Sequence, residues 1–147
     1  MGNDPGRNVG ETSGQTPLRA LVDTNVLVRL LTQDSVEHTR KVRALLRRID
    51  ELVLTDLIFA EVIFVLESFY EWHARTIAEA MTALLGHQQI AVVDHSLLVR
   101  ALDLYVAKRI DYADAYVAAV AELSGIRLVA SFDRALDRVP TIERLGS

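Results

Sequence analysis

Four carboxylates occupy positions where an ionised group is costly. Asp23 follows the apolar run Ala20-Leu21-Val22, Glu61 interrupts LIFAEVIFVL, Asp114 lies inside DYADAYVAAV, and Asp133 comes just after RLVAS. If those segments pack side by side the four charges converge, and two carboxylates about 4 Å apart repel by roughly 1 to 4 kcal/mol depending on the local dielectric. Such a cluster either takes up protons or recruits a hard cation. Ligation by oxygen alone favours Mg2+ or Mn2+, and because magnesium keeps several waters and bridges to phosphate, a phosphodiester is the natural substrate. The chemistry expected of these residues is hydrolysis: a water oriented and deprotonated, and the charge of a pentavalent transition state offset.

Each acid also has a purely structural reading. Asp23-Thr24-Asn25 can cap a helix, Ser131 can cap the next one with Asp133 in its first turn, and Asp114 can complement a helix dipole. Glu61 is harder to assign to the scaffold. Nine of the ten residues from Leu57 to Leu66 are apolar, so the helix reads as buried nearly all round, and a carboxylate facing inward there needs a partner. The same holds more weakly for Asp114, the only charged residue between Asp111 and Glu122 in an alanine-rich segment. A shared cation would satisfy both.

Those residues need a scaffold, and the chain supplies one of suitable size. At 147 residues with 50% hydrophobic and 24% charged content, it fits one compact domain with a core. Residues 1–17 are rich in Gly, Pro, Asn, Ser and Thr and read as a flexible leader, so the folded unit is expected over 18–147. From there β-type and helical runs alternate. Strands are expected over 20–22, 52–54, 90–93 and 127–130, and helices over 25–31, 56–69, 96–107 and 112–123, with a short helix from Asp133. Asp34 with Glu37 reads as a capping box opening a helix that runs to about Ile49, and Gly86 and Gly125 as helix-ending glycines. This is the α/β pattern of a parallel sheet flanked by helices. The strand ends and the helices that follow share one edge, where ligands bind.

Several functions are excluded. The absence of cysteine removes disulfides, thiolate metal sites and cysteine nucleophiles, and it is compatible with a reducing, cytoplasmic location. His38, His73, His87 and His95 show no metal-binding spacing and read as surface or helix-end residues. No Gly-rich phosphate loop or G-x-S-x-G elbow occurs, and no apolar run is long enough to cross a membrane, so the chain is expected to be soluble. The net charge of −4 decides nothing, because it hides where the charges lie.

The series LVDTNVLVRLL, AEV, DYADAYVAAVA and LVASFDRAL, in that order over about Leu18 to Asp137, resembles the PIN-domain ribonucleases, and most of all the VapC toxins of bacterial and archaeal toxin–antitoxin pairs. The resemblance implies a three-layer α/β/α fold around a mostly parallel sheet of four to five strands. It matches Asp23, Glu61, Asp114 and Asp133 to the acidic quartet, with Asp23 and Asp114 the firmest ligands of Mg2+ or Mn2+. Asn25 and Ser131 match the polar residues that hold those carboxylates, and Thr24 lies in the same motif. Asp111 is expected to cap its helix, with an auxiliary ligand role as the alternative. The activity implied is endoribonuclease cleavage leaving a 5′-phosphate and a 3′-hydroxyl. The partners implied are an RNA substrate, a cognate antitoxin whose C-terminal segment covers the site, and a second copy in a homodimer. The last edge strand is expected to be short, near Thr141 to Leu145.

An RNA substrate also needs cations. Arg40, Arg43, Arg47 and Arg134 are the candidates, although a solvated helix face is the better reading of the first three. FYEW at 69–72 reads as core packing at a helix end. Two other readings keep the fold, a catalytically silent binding module and a nuclease acting on another nucleic acid. A receiver-type phosphorylation module lacks the lysine it would need after the last strand.

Overall fold

The protein is described by a computed structural model over residues 16–147. The leader expected at 1–17 lies, but for its last two residues, outside the described residues. The elements run β1 (Arg19–Leu21), α1 (Thr24–Thr32), α2 (Val36–Leu46), β2 (Glu51–Val53), α3 (Asp56–Ser68), α4 (Ala74–Leu85), β3 (Ile90–Ala91), α5 (His95–Ala107), α6 (Tyr112–Ser124), β4 (Leu128–Ala130), a 3-10 turn (Arg134–Arg138) and β5 (Glu143–Leu145). This is a helix-rich α/β architecture with parallel strands, as the alternating sequence pattern predicts. Its five strands form two hydrogen-bonded groups, β1-β2-β3 and β4-β5. In the first, Ala20 lies opposite Leu52 and Leu52 opposite Ile90; in the second, Val129 lies opposite Arg144. The expected last edge strand is present as β5, parallel to β4.

With strands only two or three residues long, packing between helices carries much of the core. Phe59, Ile63 and Leu66 of α3, Ile77 and Met81 of α4, and Leu98 and Leu104 of α5 are fully buried beside Leu27 of α1 and Leu54. Ala115, Ala118 and Ala119 give α6 a smooth buried stripe, so it lies close along α5.

Several boundaries differ from expectation. Ser35, not Asp34, caps α2, accepting the His38 N–H at 3.3 Å, while Asp34 accepts from the Tyr70 hydroxyl at 2.8 Å. The helix stops at Leu46, because the Arg48 and Ile49 N–H groups bond three residues back, to the Leu45 and Leu46 carbonyls. Gly125 ends α6 in the left-handed conformation, φ 79°, which glycine adopts without steric cost. Gly86 ends α4 at φ −82°, so glycine is not required there. The range of α4 was not anticipated, although Ile77, Met81, Leu84 and Leu85 carry its helical spacing. In FYEW only Trp72 and Tyr70 pack on the core, and Phe69 is 78% exposed at the end of α3, where the chain turns away.

Candidate active site

The first pair of acids forms where β1 and β2 give way to helices. Asp23 is the N-cap of α1 in extended conformation, and its carboxylate accepts the Thr24 N–H at 2.8 Å, near the positive end of the helix dipole. One residue on, the Thr24 hydroxyl donates to Glu61 Oε1 at 2.8 Å. Thr24 thus joins α1 to α3 and ties Glu61 to the start of the helix that Asp23 caps. Glu61 itself is exposed, which corrects the reading of α3 as buried nearly all round. The helix buries one stripe, Phe59, Val62, Ile63 and Leu66, and turns Leu57 (76% exposed), Glu61 and Phe64 (64% exposed) to solvent. A run of apolar residues without polar punctuation conceals that split, because a 3.6-residue period cannot be read where every position is apolar.

The second pair forms on α6 and the turn after β4. Asp114 lies in the first turn of α6, and its carboxyl is pushed up to about 6 by burial, by a hydrogen bond to Asp133, and by the charges of Asp133 and Asp111. Asp133 is correspondingly held below the usual carboxylate range by that hydrogen bond and by the Ala135 N–H, with Arg138 and Arg144 adding attraction. Asp111 occupies the N-cap position but makes no capping hydrogen bond, so its expected capping role is not observed; its charge instead raises Asp114. Ser131 holds the turn, its hydroxyl accepting the Asp133 N–H at 2.9 Å. The Ser131 carbonyl takes an N–H of Arg144 at 3.0 Å, and Arg144 is itself forked onto Asp137 at 2.9 and 3.1 Å. Gly146 packs against that same carbonyl, which a Cβ there would meet at 2.1 Å.

A match to the PIN domain model spans residues 20–142, from β1 to the residue before β5, and takes in all four acids. The chain belongs to the PIN domain family. No curated protein matches it. PIN domains are typically nucleases that use divalent metal ions, so a nuclease-type function follows from membership.

Whether this PIN domain's residues suit such an ion is decided by their chemistry and arrangement. All the donors are oxygens, and the raised Asp114 carboxyl reflects a charge conflict with Asp133 and Asp111 of the kind that a hard divalent ion relieves. The arrangement supplies one acidic pair, Asp114 with Asp133, while Glu61 is tied by the Thr24 hydroxyl to the residue that follows Asp23. Among the described residues no three His, Asp or Glu side chains meet closely enough to hold a metal. Asp114 and Asp133 would therefore be the principal holders.

The helices carrying Glu61 and Asp114 are joined by contacts that the sequence did not reveal. The Tyr116 hydroxyl on α6 donates to Asp56 in the first turn of α3, and the rings of Phe59 and Tyr112 lie 5.9 Å apart across the same interface. The other Asp56 oxygen and the Tyr112 hydroxyl are buried without a partner. Beside this strap a cleft of about 690 Å3 opens between α3 and α6, with Glu61, Glu67 and Asp111 among apolar walls of Leu57, Phe64 and Tyr112. An aspartate opening a helix reads as a dipole complement and a tyrosine among alanines as core, so neither Asp56 nor Tyr116 stood out.

The remaining expected residues are dispersed. Asn25 is exposed and makes no side-chain hydrogen bond among the described residues. Arg40, Arg43 and Arg47 line one open cleft of about 380 Å3 along α2, whose walls include none of the four acids. Arg134 is exposed beside Asp133 and has no ion pair among the described residues.

Proposed function

We propose that this PIN domain is a Mg2+- or Mn2+-dependent endoribonuclease, the toxin of a toxin–antitoxin pair, acting in the cytoplasm and restrained by a cognate antitoxin that covers the acidic edge. The observation that carries the reading is the Asp114–Asp133 pair, two carboxyls brought together at a helix start, of which Asp114 is raised and Asp133 lowered by the hydrogen bond between them. When bound there, a divalent ion would orient the attacking water and offset the charge that develops on the phosphate. The chain's own residues do the remainder. Asp114 and Asp133 place the charge, Ser131 fixes the backbone under Asp133, and Thr24 holds the Glu61 carboxylate toward Asp23 as a proton acceptor. The resemblance to VapC toxins further supports a homodimer and products with a 5′-phosphate and a 3′-hydroxyl.

One observation favours a second reading, a catalytically silent binding module: among the described residues no three of the acids meet closely enough to hold a metal together. Incubating the purified chain with total RNA and Mg2+ or Mn2+ separates the two. Cleavage that EDTA abolishes and that the Asp114→Ala variant lacks supports the nuclease, and mapping the fragment ends tests the product chemistry. Folded protein that binds RNA without cutting it supports the module, and cleavage that survives EDTA or the substitution identifies a contaminant.

A further inference from the structure

The residues on either side of Asp133 are the observation that the acidic quartet leaves unused. Phe132 is 81% exposed and takes part in none of the aromatic pairs of the described residues. Its exposure is imposed by the backbone. The Ser131 N–H bonds the Leu145 carbonyl at 2.9 Å and the Ser131 carbonyl takes Arg144 at 3.0 Å. On the other side the Asp133 N–H is held by Ser131 at 2.9 Å and the Asp133 carboxylate by the Ala135 N–H at 2.9 Å. The backbone is thus held on both flanks of Phe132, and the ring stands in water beside Asp133 in the chain.

The cations nearby sort in the same way. Arg144 is committed to Asp137 and Ser131, and Arg138 donates to the Arg109 carbonyl at 2.6 Å. Arg134 is exposed and makes no hydrogen bond or ion pair among the described residues. Three consecutive residues, Phe132, Asp133 and Arg134, therefore present an aromatic face, a site carboxylate and an uncommitted guanidinium. That triplet matches a polynucleotide strand, in which planar bases alternate with anionic phosphates. It does not match a duplex, whose bases are already stacked on one another.

We infer that Phe132 is a stacking platform for an unpaired nucleobase next to the scissile phosphodiester, and that Arg134 contacts a neighbouring phosphate. The inference rests on the nuclease reading for the position of the scissile bond, and it narrows the substrate to single-stranded segments. Stacking is tolerant of base identity because every base has a π-face, so Phe132 selects strandedness and not sequence.

The test measures binding of a fluorescently labelled, short single-stranded RNA of mixed sequence, and of the same RNA as a duplex, by anisotropy. It uses full-length chain carrying Asp114→Asn so that the RNA stays intact. Phe132→Ala weakens single-strand binding about tenfold or more, Phe132→Leu weakens it as much, and Phe132→Tyr stays within about twofold of the parent. Arg134→Gln lowers the salt slope by about one, with duplex binding unchanged by any Phe132 substitution. The inference is overturned if Phe132→Leu binds as the parent does, since an apolar patch for a protein partner then suffices, or if the single strand binds no better than the duplex. Cleavage assays on the chain with Asp114 intact, here the parent, keep the two claims apart. Parent chain that cuts RNA with a KM unmoved by Phe132→Ala leaves the nuclease and removes the platform. Parent chain that does not cut RNA, yet binds single strands through Phe132, keeps the platform and removes the nuclease.

Discussion

Glu61 and Asp114 are both carboxylates carried on helices, one in mid-helix and one in a first turn, and the fold treats them oppositely. Glu61 is exposed and receives a hydrogen bond from Thr24. Asp114 is partly buried and meets Asp133 and Asp111, with no cation against it. The first carboxylate is satisfied by the protein alone, whereas the second is satisfied only by a proton or by something from solution. A search for function by burial and charge conflict therefore leads to the Asp114 side, although sequence reasoning picked Glu61 as the acid hardest to explain.

The contrast is broken most severely by removing one member of each side. Asp114→Ala is expected to lower RNA cleavage by about a thousandfold, and Glu61→Gln by less, since catalysis by a positioned acid or base typically contributes a factor of about 10² to 10⁴. Equal losses, read from single-turnover rates, would show that the two carboxylates act as one unit. Next, Mg2+ or Mn2+ at about one hundred times its dissociation constant is expected to stabilise the folded chain by about 2.7 kcal/mol, as a rise in melting temperature. Asp114→Asn is expected to abolish that rise, and Glu61→Gln to reduce it.

The metal-free chain sharpens the comparison through pH. Asp114 titrates at about 6 in the folded chain against 3.8 as the ordinary value, so the folded state binds the extra proton between them. That preference is fully present below about pH 4 and is lost as pH rises through 6. Asp133, shifted the other way, offsets part of it at the acid end. Metal-free protein is therefore expected to lose about 1 kcal/mol between pH 4 and pH 7, solvent screening having reduced the full linkage value. Asp114→Asn should flatten that slope and melt higher than the parent at pH 7. A slope unchanged by the substitution would remove Asp114 as its source.

Smaller effects test the holders. Thr24→Val is expected to cost about 1 kcal/mol of stability and to slow cleavage about tenfold, with Thr24→Ser restoring both, because only the hydroxyl bond to Glu61 differs. Tyr116→Phe removes the bond to Asp56 across α3 and α6 and is expected to destabilise by about 1 kcal/mol. It should also raise the metal concentration needed for half-maximal thermal stabilisation, which an effect confined to folding would leave unchanged.

The acids, the alternation of strand and helix, and the ends of α3 and α6 were legible because each depends on neighbours in sequence. Thr55 capping α3 and Gly125 ending α6 follow from side-chain oxygens and glycine dihedrals acting over three or four residues. α4 is legible from the helical spacing of Ile77, Met81 and Leu84, all of them buried. The α2 cap was misplaced by one residue because Asp34 and Ser35 are both good caps, and the distant Tyr70 hydroxyl takes Asp34 out of competition.

By itself the sequence determined the kind of chemistry, since oxygen ligands without cysteine or clustered histidine leave hard cations and phosphate as the matching partners. Only the tertiary structure decided how the acids pair. The Thr24–Glu61 bond closes a gap of 37 residues and the Tyr116–Asp56 bond one of 60. It also decided that Glu61 faces solvent, that Asp114 meets Asp133, and that Phe132 stands outside the core. Hydrophobic periodicity and capping are local codes, whereas hydrogen bonds and charge repulsion depend on distances that exist only once the helices have packed.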